Sequence, residues 1–145
     1  MNMNKSSSHA VYNIQLHIVF VTKYRYKTLT KVILEDLKQA FADCLQAWGA
    51  QLVEFGGEED HVHLLVSITP ATDISVLINN LKTASARRMR NTHLDHLKQF
   101  YKKPLFWHRA YFVASCGGAP LETIKQYIEN QGVKPNTKLP AWPTS

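Results

Sequence analysis

Apolar and polar positions alternate along residues 10–21. Tyr12, Ile14, Leu16, Ile18 and Phe20 share one face, while Asn13, Gln15 and His17 are among those opposite, the repeat of a half-buried strand. From Thr30 the period changes. Ile33, Leu34, Leu37, Phe41, Cys44, Leu45 and Trp48 form one continuous stripe at helical spacing, with Thr30 suited to cap its start and Gly49 its end. Residues 51–55 read as a second strand, Gly56-Gly57 as a turn, and residues 61–68 as a third strand so apolar that both its faces should be partly covered.

Pro70 breaks that strand, and Thr72 or Asp73 can cap a second helix whose inner face is Ile74, Leu77, Ile78, Leu81 and Ala84. Residues 93–104 are polar and irregular, and residues 106–116 read as a fourth strand with aromatic side chains on both sides. After Gly117-Gly118, a joint of free backbone rotation, Pro120, Glu122 and Gly132 suit the start, the first turn and the stop of a terminal helix over 120–131. The expected domain is therefore 10–132, with an N-terminal extension at 1–9 and an irregular tail at 133–145 that carries three prolines. Strand, helix, strand, strand, helix, strand, helix predicts an α+β fold. It is a ferredoxin-like, RRM-like antiparallel sheet of four strands with two helices packed on it and an appended C-terminal helix.

At 145 residues and 45% hydrophobic content the chain suffices for one domain with a true core. A formal charge of +6 and a pI near 9.4 point toward a polyanionic partner such as nucleic acid. Cys44 and Cys116 stand far apart, forming neither a C-x-x-C zinc set nor a disulfide framework. No apolar stretch approaches the roughly 18 residues of a membrane span, and the first nine residues lack an export core, so no membrane partner and a cytoplasmic location are expected.

The chemistry concentrates at His61-Val62-His63, because the two-residue repeat of a strand sends both imidazoles out of one face and two convergent imidazoles suggest a metal. On the last expected helix Leu121, Ile124 and Ile128 make the core stripe while Tyr127 and Gln131 lie together on its flank. Taken alone, that helix reads better with Tyr127 extending the stripe and Gln131 as a solvated end.

Four ordered motifs carry a family resemblance. They are His17-Ile18-Val19-Phe20-Val21-Thr22-Lys23-Tyr24-Arg25, Asp60-His61-Val62-His63-Leu64-Leu65, Leu81-Lys82-Thr83-Ala84-Ser85-Ala86-Arg87-Arg88, and Tyr127-Ile128-Glu129-x-Gln131. Together they resemble the TnpA transposases of the smallest bacterial insertion sequences, single-tyrosine HUH enzymes, over residues 11–131. The resemblance implies that Tyr127 attacks a phosphodiester of single-stranded DNA, forming a 5′-phosphotyrosine and releasing a 3′-OH, and that single-stranded DNA hairpins at the element ends are the partner recognised. It implies a divalent ion held by His61, His63 and Gln131. Two imidazoles also suit zinc, but a neutral amide oxygen as third ligand favours Mg²⁺ or Mn²⁺. It implies a homodimer in which a loose Gly117-Gly118 joint lets the tyrosine helix complete a partner's site. Asp60 either orients a ligand or belongs to a solvated acidic turn with Glu58 and Glu59.

For DNA contact the candidates are Lys23 and Arg25 in the first loop, Arg87, Arg88 and Arg90 on the second helix, and Lys102 and Lys103 before the fourth strand. Tyr24 and Tyr26 add stacking surface beside them. Two other readings compete. One is a domesticated HUH endonuclease that processes chromosomal palindromes; the other is a non-catalytic RRM-like nucleic-acid-binding module.

Overall fold

Thr30 stands in extended backbone at the head of helix α1 (Lys31–Ala47), where its hydroxyl accepts the Ile33 N–H at 3.2 Å. Asp73 does the same for α2 (Ile74–Thr92), accepting from Val76 N at 3.1 Å, while Thr72 turns instead to Thr69. Gly49 closes α1 with φ at 71°, a conformation glycine adopts at no steric cost. The computed structural model describes residues 5–7 and 10–116. The expected helix over 120–131, with Tyr127 and Gln131, and the tail both lie outside the described residues.

Strands β1 (Lys5–Ser7) and β2 (Ala10–Tyr12) pair antiparallel as a small ribbon, so part of the N-terminal extension takes strand form. The main sheet contains β3 (Ile14–Thr22), β4 (Gln51–Gly57), β5 (His61–Ile68) and β6 (Trp107–Ser115), all antiparallel in the order β4-β5-β3-β6. With α1 between β3 and β4, and α2 between β5 and β6, this is the ferredoxin-like arrangement. The segment expected to be irregular holds a short helix, α3 (Leu94–Leu97).

The helices bury one face of the sheet. Leu16, Ile18 and Phe20 of β3 and Val62, Leu64, Val66 and Ile68 of β5 pack with Ile33, Leu37, Phe41 and Leu45 of α1 and Leu77, Ile78, Leu81 and Met89 of α2. Phe20, Phe41 and Trp107 form a ring cluster at its centre, with centroids 5.5–6.4 Å apart. The Trp107 indole N–H reaches Ser85 Oγ at 2.9 Å, which explains a serine on the inner face of α2 where Ala84 was expected. Ile74, expected inside, is exposed on the first turn of α2.

Two further expectations are corrected. Strand β3 is covered on both faces, with His17, Val19 and Val21 buried as well as Leu16, Ile18 and Phe20. Its central position, between β5 and β6, shields the face that alternation alone assigned to solvent. Gly56 and Gly57 continue β4, and the chain reverses at Glu58, whose N–H bonds to His61 O at 2.9 Å.

Candidate active site

Because Val62 and Leu64 point into the core, His61 and His63 both face away from the helices, as the two-residue repeat predicts. Val21 lies opposite His61 and Val19 opposite His63 on β3. On the other side Gly56 lies opposite His63. A Cβ there would collide with Nε2 of His63 and lie 2.9 Å from its Cε1, so the glycine leaves room in which this imidazole packs.

His61 is buried and donates its Nδ1–H to Asp60 Oδ1 at 2.9 Å. That bond selects the tautomer whose Nε2 carries the lone pair a metal needs. The second carboxylate oxygen of Asp60 lies 3.4 Å from a guanidinium nitrogen of Arg25, and both side chains are under a tenth exposed. Burial alone would push the Asp60 carboxyl up. The hydrogen bond from His61, with the guanidinium of Arg25, outweighs that and holds it below the usual carboxylate range. Asp60 is therefore an orienting carboxylate rather than a member of a solvated turn.

The connection after β3 makes this possible. Thr22 N–H donates to Asp60 O at 2.9 Å and Thr22 Oγ to Tyr26 O at 2.7 Å, which pins both ends of the loop. Between them Tyr24 and Arg25 take left-handed backbone, with φ of 61° and 55°, a conformation sparsely used by residues with side chains. The turn swings the Arg25 side chain inward. This residue, expected on the DNA surface, instead supports the histidine site, and a partner 35 positions away in Asp60 left no local sequence signal of that role.

The other expected DNA contacts divide. Lys102, Lys103 and Arg87 are exposed, and Lys23 and Arg90 are partly so. Arg88 is bound to α1, contacting Asp36 at 2.9 Å and Asp43 at 3.1 Å. Its helix packs against α1, and those two carboxylates occupy its guanidinium. Lys82 donates to the carbonyls of His108 and Arg109 at 3.0 and 2.9 Å. Burial and then Lys23 lower its ammonium pKa, and His108 is lowered by burial, Lys23 and Lys82. That corner of the sheet carries concentrated positive charge.

Among the described residues no third His, Cys, Asp or Glu joins the two imidazoles to complete a metal set. His17 shares their face, buried and with its pKa lowered by that burial against the charge of Glu54. The described site thus offers two imidazoles, one with its tautomer fixed by a buried carboxylate.

A family model described as "Transposase IS200 like" matches residues 10–131. The chain belongs to the IS200-like transposase family. It is 30% identical over 131 residues to the ISDra2 transposase TnpA of Deinococcus radiodurans, covering 90% of this chain and 92% of that protein. It is also 30% identical over 135 residues to the transposase for insertion sequence element IS200 of Salmonella typhimurium, covering 90% and 85%. Among solved structures it is similar to a crystal structure from D. radiodurans R1 whose protein is described as a transposase, with a TM-score of 0.75, 35% identity and coverage of 88% and 97%. A REP-associated tyrosine transposase bound to a REP hairpin shares the fold at a TM-score of 0.54 and 14% identity, covering 90% and 75%. Among the described residues no helix of this transposase is long and apolar enough to cross a membrane.

Proposed function

We propose that this transposase cleaves and rejoins single-stranded DNA at the ends of an insertion element, with Tyr127 as nucleophile and His61, His63 and Gln131 as ligands of a Mg²⁺ or Mn²⁺ ion. The observation that carries the reading is the Asp60–His61 bond beside His63 on one sheet face, in a family match that extends through both Tyr127 and Gln131. A buried carboxylate holding a histidine Nδ1–H is the arrangement that readies the other nitrogen for a metal.

The donor set fits a hard divalent ion: two neutral imidazoles with one amide oxygen leave positions for phosphate oxygen. When bound, that ion polarises the scissile phosphate and fixes its orientation. The Tyr127 phenol loses its proton and its oxygen attacks phosphorus. The bond from phosphorus to the 3′ oxygen breaks, a 5′-phosphotyrosine forms, and the departing oxygen takes up a proton as a 3′-OH. Attack by a 3′-OH on that phosphotyrosine reverses the bonds and frees the phenol, so rejoining needs no ATP.

The reading further holds that the protein acts as a homodimer on single-stranded hairpins, with Lys23, Arg87, Arg90, Lys102 and Lys103 neutralising backbone phosphate. It is tested by denaturing electrophoresis of the protein mixed with single-stranded element ends and Mg²⁺. A slow-migrating covalent adduct is expected from the native protein and none from Tyr127→Phe. An adduct that survives in Tyr127→Phe rejects the nucleophile.

A further inference from the structure

The turn that sends Arg25 inward sends its neighbours outward. Tyr24 is 59% and Tyr26 42% exposed, and they are the two aromatic members of the exposed large hydrophobic set among the described residues. Their rings adjoin, with centroids 5.4 Å apart. Tyr26 also lies nearly parallel to Tyr101, 5.5 Å away at 21°, with Phe100 at 6.3 Å. Tyr101 is buried beneath and anchored by its hydroxyl, which donates to Lys23 O at 2.7 Å. The Lys23 ammonium lies 5.3 Å from the Tyr24 ring.

This surface is built from both sides. Backbone strain at Tyr24 and Arg25 is offset by the buried contacts of Arg25 and Tyr101, and what it leaves outside is a pair of rings on a rigid aromatic base. Isolated exposed apolar residues are ordinary, but two adjoining rings fixed by a strained turn call for a flat partner. The charge around them is cationic, with Lys23 and Lys27 in the loop and exposed Lys102 and Lys103 following Tyr101. The acidic contact is a surface pair of Lys27 with Glu59 at 3.8 Å. Aromatic rings interleaved with lysines suit a strand whose bases are unpaired and whose backbone is negative. Duplex DNA hides its base faces and offers nothing to stack.

We infer that Tyr24 and Tyr26, backed by Tyr101 and Phe100, form a stacking platform for unpaired bases of single-stranded DNA. The inference rests on the single-strand transfer reading above and adds where the strand is held. Thr22 and Arg25, at either side of Tyr24, both bond to Asp60, the residue whose carboxylate holds His61. A strand on the platform is thereby seated on the loop that braces the histidine site.

The test is equilibrium binding of a fluorescently labelled single-stranded oligonucleotide to the full chain without divalent metal, alongside a duplex of the same sequence. Tyr24→Ser, at the most exposed ring, should weaken single-strand binding about ten-fold or more. Tyr24→Phe should stay within about two-fold, and duplex binding should not change. Tyr26→Ser should act in the same direction, and a thermal melt establishes that each variant is folded. Unchanged single-strand affinity in folded Tyr24→Ser overturns the platform, as does equal weakening of duplex binding or preference for RNA of the same sequence. If that variant binds as the native protein does while the covalent adduct still forms with Mg²⁺, the platform fails and the transfer reading stands. If binding depends on the ring and no adduct forms, the platform stands and the transfer reading fails.

Discussion

Asp60 Oδ1 accepts the Nδ1–H of His61 at 2.9 Å, and the same carboxylate meets Arg25 at 3.4 Å with its other oxygen. A buried ion pair is thus attached to one of the two imidazoles and sets how that ring presents its free nitrogen. Removing an outer carboxylate of this kind weakens metal binding by about 10- to 100-fold. Asp60→Ala should lower Mn²⁺ affinity by that amount in calorimetric titration. Asp60→Asn should lose less, because its amide oxygen can still accept from His61. Equal affinity in Asp60→Ala and the native chain would show that the carboxylate does not serve the site.

Gly56 faces His63 at a distance that excludes a methyl group. Gly56→Ala keeps an extended backbone but forces the imidazole or the strand to shift, at about 1–3 kcal/mol of overpacking. A lowered melting temperature together with weakened Mn²⁺ binding is expected. A melt lowered without any change in metal binding would mean that the ring of His63 is not a ligand.

The Tyr101 phenol is pushed up to about 12, first by burial. Its neutral form is favoured in the folded chain, whereas the unfolded phenol ionises near pH 10. The stabilisation is complete below pH 10 and is lost as pH rises toward 12. Tyr101→Phe should therefore flatten the fall in stability across that window in urea melts at stepped pH. At neutral pH it should cost about 1 kcal/mol for the lost bond to Lys23 O. An unchanged alkaline slope would remove Tyr101 as its source.

Ser85→Ala strands the buried indole N–H of Trp107. A loss of about 1–3 kcal/mol is expected in chemical denaturation, with the fold retained. A neutral result would mean that the indole finds another acceptor.

Local rules read well here. The stripe of α1, its Thr30 cap and the left-handed Gly49 follow from side-chain chemistry within a few residues, and so does the shared face of His61 and His63. Sheet order is not local, so the alternation of β3 looked half-buried although the strand runs through the centre of the sheet. The glycines at 56 and 57 resembled a turn because composition cannot distinguish a bend from a strand that must yield to His63 and Leu34. Arg25 and Arg88 resembled surface cations because their carboxylate partners, Asp60 for one and Asp36 and Asp43 for the other, are brought to them only by tertiary packing.

The central claim is strand transfer through Tyr127, and mass spectrometry of the protein after reaction with a single-stranded element end and Mg²⁺ tests it most directly. Proteolysis should yield a nucleotide-bearing peptide with the phosphate on Tyr127, attached to the 5′ end of the cleaved strand. A phosphotyrosine at another residue, or complete cleavage with no protein-bound nucleotide, would contradict it.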